Sequence, residues 1–456
     1  MNDPAGSTSA VATTPLRPDL PRRVGFLGAL GVMAGIMIGS GIFRTPTVIA
    51  QYTDAWWWVM LAWIGGGLLS LAGALTYAEL AVKYPRSGGI YVFLREAYGR
   101  ATAFTFGWTY LLISKPLAAA GIAIIFAEHL NTLAGTTIDP RLTTTLVLAG
   151  LTWVNVVGVR QGAGLATALT ALKMGALLVI ALVGAAMIPG LQREAGSVTL
   201  VKDISPWLAI APVMTAVMWT YDGWSDVGAI AGEVREPTRT LPRVYIAGTL
   251  GVTLLYLGVN GVYVGAIPLG EMRQMSTVAP EVMGLLLGQW GALGVTLLVL
   301  VSTLGSTHGS ILTGARVSFA QARDGLLFAF LAKIHPRYET PAASLWVQLC
   351  LSTIAVWSLG TFERLAGGFV FTMWIFYGLA ALALFILRRR APGAREFRCP
   401  GYPFVPGVFV LAALAMTLLS IVESPRDTLV WLGVLGAGFP VYFAWRFFAA
   451  RTTPVR

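Results

Sequence analysis

The chain has 456 residues, 56% of them hydrophobic and only 12% charged, where a soluble protein carries roughly 25% charged residues. Mean hydropathy is +0.72 and 52 residues are glycine. These values exclude a disordered chain, a collagen-like fibre, a disulfide-rich secreted domain and most soluble enzymes, which cannot hide so much apolar surface in one or two cores.

Residues 1–23 are polar and rich in Pro, Ser, Thr and Ala, and read as a disordered tail rather than a signal peptide. Twelve apolar runs of bilayer-spanning length follow, at 24–50, 56–82, 102–128, 142–159, 163–190, 206–232, 243–267, 285–315, 342–359, 366–388, 404–422 and 427–449. Spans one to five (24–190) and six to ten (191–390) have similar lengths. Residues 391–449 add two more spans, and 450–456 form a second short tail.

The net charge of +11 sits in short basic clusters between apolar runs, which suits membrane topology and anionic lipid better than nucleic acid. Lys and Arg divide 23 to 6 between alternate loops, which puts both termini in the cytoplasm. Trp56, Trp57 and Trp58 then fall at the outer interface. Arg44, Lys115 and Lys173 remain inside spans. Cys350 lies in an apolar run and Cys399 in a basic loop, so no disulfide framework is expected.

Two spans carry signs of interruption. The first holds Gly39-Ser-Gly41, with Pro46 close behind. Small residues there fit either close helix packing or a break. The sixth holds Trp219-Thr-Tyr-Asp-Gly-Trp224, which puts the ionisable Asp222 beside Gly223 near mid-membrane. Such a group is costly in lipid and marks a functional site by default; a shallower span is the plainer alternative. Paired interruptions at matching positions in two halves point to a transporter site. Exposed N–H groups at a half-helix start bind a carboxylate, and freed carbonyls accept from an ammonium. That pair of contacts fits a zwitterionic amino acid.

The sequence resembles the amino acid–polyamine–organocation (APC) superfamily, and within it the L-type amino acid transporter group, from about residue 24 to about 408. The resemblance rests on motifs in order: Ile38-Gly-Ser-Gly-Ile-Phe43, Tyr84-Pro-Arg-Ser-Gly-Gly-Ile-Tyr91, Lys173, Tyr221-Asp-Gly-Trp224 and Gly232-Glu-Val-Arg-Glu-Pro-Thr-Arg-Thr-Leu-Pro242. Gly305-Ser-Thr-His-Gly-Ser310, Ala322-Arg-Asp-Gly325 and Phe397-Arg-Cys-Pro-Gly-Tyr-Pro403 complete them.

The resemblance implies an all-α membrane fold of twelve helices: a LeuT-type 5+5 inverted repeat plus two C-terminal helices, with the first and sixth helices broken. It implies that amides around Gly39, Ser40 and Gly41 hold the substrate carboxylate. The carbonyls of Met37, Trp219 and Asp222 would receive the amino group, with Gly223 and Ser225 in the same site and Trp219 as aromatic gate. Lys173 would stand where sodium-coupled relatives bind Na⁺, near Ser302, Thr303, Ser306 and Thr307, and so implies sodium-independent transport. No cofactor or metal is implied.

Other polar residues have several readings. Arg44 is an outer-gate charge or an interfacial anchor. Lys115 lines a polar cavity or pairs with an acid. Tyr221 and Trp224 are placed at the gate or cavity. Asp222 either binds a distal cation of the substrate or is paired elsewhere, with neutral substrates ahead of cationic ones. His308 is titratable or simply hydrogen-bonded, Asn155 acts as interhelical glue, and Glu79 and Glu233 sit where they can form gate salt bridges. No Walker loop, metal-ligand spacing or nucleophile–base pair is present, so enzyme chemistry is not expected.

Related light chains join a heavy chain through a cysteine after the third span. The corresponding loop here, 128–140, has none, so no disulfide-linked heavy chain is expected. The expected activity is alternating-access exchange or proton symport of L-amino acids at the cell membrane, with membrane lipid and the substrate as the only partners. The rival is a non-transporting sensor that keeps the binding site.

Overall fold

The computed structural model describes residues 20–187, 206–275, 277–390, 396–423 and 425–452. The described residues are almost entirely helical, with one isolated β-bridge between Val24 and Val234. In lipid this is expected, because a helix satisfies its own backbone polar groups.

The first apolar run is two helices, α1 (Phe26–Met37) and α2 (Gly41–Ala50), separated at Ile38, Gly39 and Ser40. The second run is α3 (Trp56–Lys83), after which the short amphipathic α4 (Ile90–Tyr98) lies outside the spans. The third run begins as α5 (Arg100–Thr109). It widens into one π-helical turn at Tyr110–Ser114 and continues as α6 (Lys115–Ala134). Helices α7 (Pro140–Val157) and α8 (Val159–Met187) complete the first half.

The second half opens on α9 (Pro206–Tyr221), which stops at Asp222 and Gly223 and resumes as a tighter 3₁₀ helix, Trp224–Glu233. Helix α10 (Pro237–Ala266), the short α11 (Leu269–Met272) and α12 (Ala279–Arg323), which breaks at Gly288 where φ is 66°, follow. Helices α13 (Ala342–Leu359), α14 (Phe362–Arg390), α15 (Phe404–Glu423) and α16 (Pro425–Thr452) end the chain.

Ten of these stretches are long and apolar enough to cross a membrane. The two remaining apolar runs are helical but fall outside that set. Helix α7 carries Thr143, Thr144, Thr145, Thr152 and Asn155, which dilute its apolar character, and α9 is cut short by the break. Large apolar side chains such as Leu68, Leu146, Leu182, Leu254 and Leu411 face outward, as a lipid-solvated surface requires.

The tails differ from expectation where they are described. Leu20 is buried, Val24 is paired to the second half, and Arg23 meets Glu339 at 2.6 Å, so residues 20–23 pack rather than trail. Helix α16 runs through Thr452, past the expected boundary at 449. Residues 1–19, the loop with Arg193 and Lys202, and residues 391–395 and 453–456 lie outside the described residues.

Candidate functional site

The two breaks face each other. At the first, Ile38 leaves helical geometry, with ψ near 80°, and α2 restarts at Gly41. At the second, Gly223 adopts φ 112°, a left-handed conformation that favours glycine. A side chain at Gly223 would strike Ile36 Cγ2 at 2.6 Å and the Met37 amide nitrogen at 2.8 Å. One at Gly41 would strike Thr220 Oγ1 at 2.3 Å. Glycine at both positions lets the two backbones approach.

Several bonds lock this approach. Thr45 Oγ1 and Thr220 Oγ1 lie 2.6 Å apart. The Tyr256 hydroxyl, from α10, donates to the carbonyl of Met37 at 2.7 Å and lies 3.2 Å from that of Thr220. The Asp222 amide donates to the Trp219 carbonyl at 3.2 Å. The Met37 carbonyl also accepts from the Gly39 amide at 2.9 Å, whereas the Trp219 carbonyl is engaged once and keeps a second lone pair.

Between the breaks lies a small cavity of about 30 Å³, room for roughly two water molecules. Met37, Gly39, Ser40, Gly41, Lys115, Trp219 and Asp222 line it, together with Ser310 and Phe369. The first amides of α2 lack intrahelical partners because a helix start always leaves them so. The hydroxyls of Ser40 and Ser310 are buried and unbonded. A buried polar atom without a partner is expensive, so both hydroxyls are free to bond a ligand in this cavity.

Ser40, Gly41 and Trp219 also line a larger vestibule of about 930 Å³, with Arg44, Thr47, Tyr52, Phe362, Arg364 and Trp431. It opens on the side opposite the N-terminus, where α2 ends and α14 begins. The Trp219 indole separates the two spaces. It meets Phe362 and Phe369 edge to face, at centroid distances of 5.4 and 5.3 Å. The Arg44 guanidinium sits over the Phe362 ring at 4.9 Å.

Lys173 is fully buried. Its ammonium donates to the carbonyls of Gly35 and Ile38, both at 2.8 Å, and to Ser306 Oγ at 3.0 Å. Ser306 Oγ lies 2.7 Å from the Gly35 carbonyl, and Ser302 Oγ lies 2.9 Å from that of Ile38. A cation thus occupies the carbonyl cluster that the first break exposes, next to α12. Thr303 instead bonds back along its own helix, to Val299 and Leu300, and Thr307 Oγ1 is buried without a partner.

The remaining expected residues divide. Asp222 accepts from the Tyr377 hydroxyl at 2.5 Å, and Ser225 donates to that same hydroxyl at 3.2 Å. Lys115 pairs with Asp226 at 2.6 Å. Tyr221 and Trp224, expected at the gate or cavity, do not line it. Tyr221 donates to the Trp63 carbonyl at 3.0 Å and packs on Trp63 and Tyr256. Trp224 packs against Tyr77, Tyr377 and Phe409. The helix ends at Tyr221 and turns through Gly223, and this carries both rings away from the cavity into the surrounding core. Gly223 and Ser225 likewise support the wall from behind.

The side of the N-terminus is sealed. The Arg316 guanidinium holds Glu233 at 2.8 Å, with both side chains no more than 1% exposed. The Val24 amide donates to the Glu233 carbonyl at 2.9 Å, and the Arg235 amide to that of Val24 at 2.8 Å. Nearby, Glu79 pairs with Arg388, and Arg95 pairs with Asp324 at 2.6 Å. Asn155 reaches the His308 carbonyl at 3.4 Å, joining α7 to α12.

Reasoning from sequence missed Asp226, Tyr256 and Tyr377. Asp226 lies four residues past Asp222, and a second carboxylate at membrane depth was the available signal. Tyr256 and Tyr377 carried none, because a tyrosine in an apolar run reads as core.

Residues 24–443 match the protein family described as Amino acid permease. The chain is 29% identical over 430 residues to the Serine/threonine exchanger SteT of Bacillus subtilis (strain 168), covering 93% of this chain and 97% of that one. It is 31% identical over 436 residues to the human Cystine/glutamate transporter, covering 93% and 85%. It is 30% identical over 425 residues to the human b(0,+)-type amino acid transporter 1, covering 90% and 85%.

Proposed function

The chain belongs to the amino acid permease family of the APC superfamily, and from that premise we propose that it is a sodium-independent secondary active transporter of L-amino acids. It is a multi-pass membrane permease and not an enzyme. It works by alternating access, as an exchanger or a proton symporter, and takes neutral substrates ahead of cationic ones. The exchange mode draws on the similarity to a serine/threonine exchanger.

One observation carries the reading: two broken helices and the unbonded Ser40 hydroxyl converge on one small cavity. The amides at the start of α2 bind the substrate carboxylate, where the positive end of the helix dipole favours an anion. The carbonyls of Trp219 and Asp222 receive the ammonium, and that of Met37 joins them when it exchanges the Tyr256 bond for the substrate. The cavity is too small for an amino acid, so it describes a collapsed site that widens when Trp219 swings toward the vestibule. The bond from Tyr377 occupies Asp222, which supports neutral substrates. Lys173 supplies the positive charge that Na⁺ provides in sodium-coupled relatives.

The same reading takes the chain as twelve spans, with 24–190 and 191–390 as inverted repeats. Both termini are cytoplasmic in the cell membrane, and no disulfide-linked heavy chain is needed. The test is uptake of an amino acid panel into proteoliposomes, with and without internal amino acid, a pH gradient and sodium. Uptake driven by internal amino acid or by protons, and indifferent to sodium, is expected. Saturable binding without flux would replace the transporter with a sensor, and sodium-dependent uptake would overturn the role of Lys173.

A further inference from the structure

Lys115 and Asp226 form an ion pair in the cavity wall, 2.6 Å apart, with each side chain 4% exposed. Lys115 is the cationic side chain among the described lining residues, and Asp226 stands behind it. The Tyr110 hydroxyl reaches Asp226 Oδ1 at 3.3 Å, and the ammonium lies 5.6 Å from the Tyr110 ring centroid. The π-helical turn at Tyr110–Ser114 ends where Lys115 begins. Such turns re-aim the residues beside them and recur at functional sites. Asp222 lies on the same wall. Two carboxyl groups and one ammonium therefore share this wall.

We propose that Asp226 determines side-chain selectivity by holding the Lys115 ammonium, so that the cavity excludes amino acids with anionic side chains. The inference rests on the transporter reading above and names the substrate class that reading leaves open. A glutamate side chain would compete for an ammonium that already has a carboxylate at 2.6 Å. It would also meet a second carboxyl, Asp222, which offers it no cation. The occupied ammonium leaves the wrong substrate without a partner, a penalty of the kind that specificity against a competitor requires. A small neutral side chain meets neither.

Asp226→Asn keeps the shape and removes the charge. Lys115 then loses its contact partner at the cavity edge and is ready to pair with a substrate carboxylate. In proteoliposomes, glutamate uptake relative to serine should rise about tenfold, the worth of one charge-assisted hydrogen bond. Lys115→Gln leaves two carboxylates on the wall and should raise lysine uptake relative to serine by a similar factor. The double variant should return glutamate to the wild-type ratio.

Wild-type protein that moves no amino acid sinks the transporter reading itself. Wild-type protein that moves glutamate as readily as serine overturns the inference alone. So does an Asp226→Asn protein that is monodisperse, moves serine and gains no glutamate. Should Asp226→Asn fail to fold, the Lys115→Gln arm decides, and an unchanged lysine-to-serine ratio there overturns the inference.

Discussion

The hydroxyl of Tyr256 donates to the main-chain carbonyl of Met37 at 2.7 Å and lies 3.2 Å from that of Thr220. One side chain of α10 therefore ties the two broken helices together at the point where both leave helical geometry. Tyr256→Phe keeps the ring contacts with Trp63 and Tyr221 and removes only the bond. The Met37 carbonyl keeps the Gly39 amide at 2.9 Å, so the loss is that of one hydrogen bond, roughly 0.5–1.5 kcal/mol. The expected outcome is a lower melting temperature of the purified protein and slower initial uptake. A variant unchanged in both would show that the hydroxyl couples nothing.

Lys173 holds the first break from the other side, through the Gly35 and Ile38 carbonyls and Ser306. Lys173→Ala deletes a buried cation and strips those carbonyls of a charge-assisted donor, each such bond being worth roughly 1.5–3 kcal/mol. Uptake should fall sharply without the protein becoming sodium-dependent, because the lost ammonium takes its three donors with it. Lys173→Arg should not rescue, since a planar fork does not replace a compact ammonium among carbonyls. Initial rates in sodium and in choline buffers check this. Wild-type kinetics in the Ala variant would remove Lys173 from the mechanism.

Glu233 and Arg316 close the side opposite the vestibule. The pair is nearly inaccessible, and the Glu233 carbonyl also receives the Val24 amide. Breaking one partner of a buried ion pair costs roughly 3–5 kcal/mol, because the other charge stays buried. Glu233→Gln should therefore lower thermal stability more than the double variant Glu233→Gln/Arg316→Met, which removes both charges. A melting series on the purified proteins gives the order. Equal loss in single and double variants would show that the pair contributes through packing rather than charge.

The breaks were legible because they need unusual residues: Gly39-Ser-Gly41 without side-chain bulk, and Asp222 with Gly223 at a depth where neither favours a helix. Lys173 was legible for the same reason, as one ammonium in an apolar run. What stayed hidden was pairing across the fold. Lys115 and Asp226 are separated by more than a hundred residues, and no local pattern reports which acid meets which base. The aromatic residues of the second break are ambiguous in sequence, because a ring beside a break reads equally well as gate or core. Only the turn at Gly223 decides that Trp219 faces the cavity while Tyr221 and Trp224 face away. Helix α4 leaves no such mark in the sequence, because it is only nine residues long and half of them are polar or only weakly apolar.

Cys399 reports on the seal at the end of α3. Its amide donates to Glu79 Oε2 at 2.7 Å. Glu79 binds Arg388, whose guanidinium stacks 3.7 Å from the Tyr402 ring centroid. Burial pushes the Cys399 thiol up to about 11, and the thiolate is the reactive form. In a Cys350→Ala background, alkylation by iodoacetamide should thus be slow at pH 7 and accelerate toward pH 11. The sign for stability follows from the same shift. The folded thiol holds its proton more tightly than a free one, so its contribution is complete below pH 9 and is lost as pH rises through 11. Glu79→Gln removes the charge that holds both Arg388 and the Cys399 loop. If the loop then opens and the thiol returns toward its ordinary value, the thiolate fraction at pH 7 rises by up to about a hundredfold. Labelling at pH 7 should rise with it. Rapid labelling of Cys399 at pH 7 in the protein with Glu79 intact would mean that Glu79 and Arg388 do not keep this loop closed.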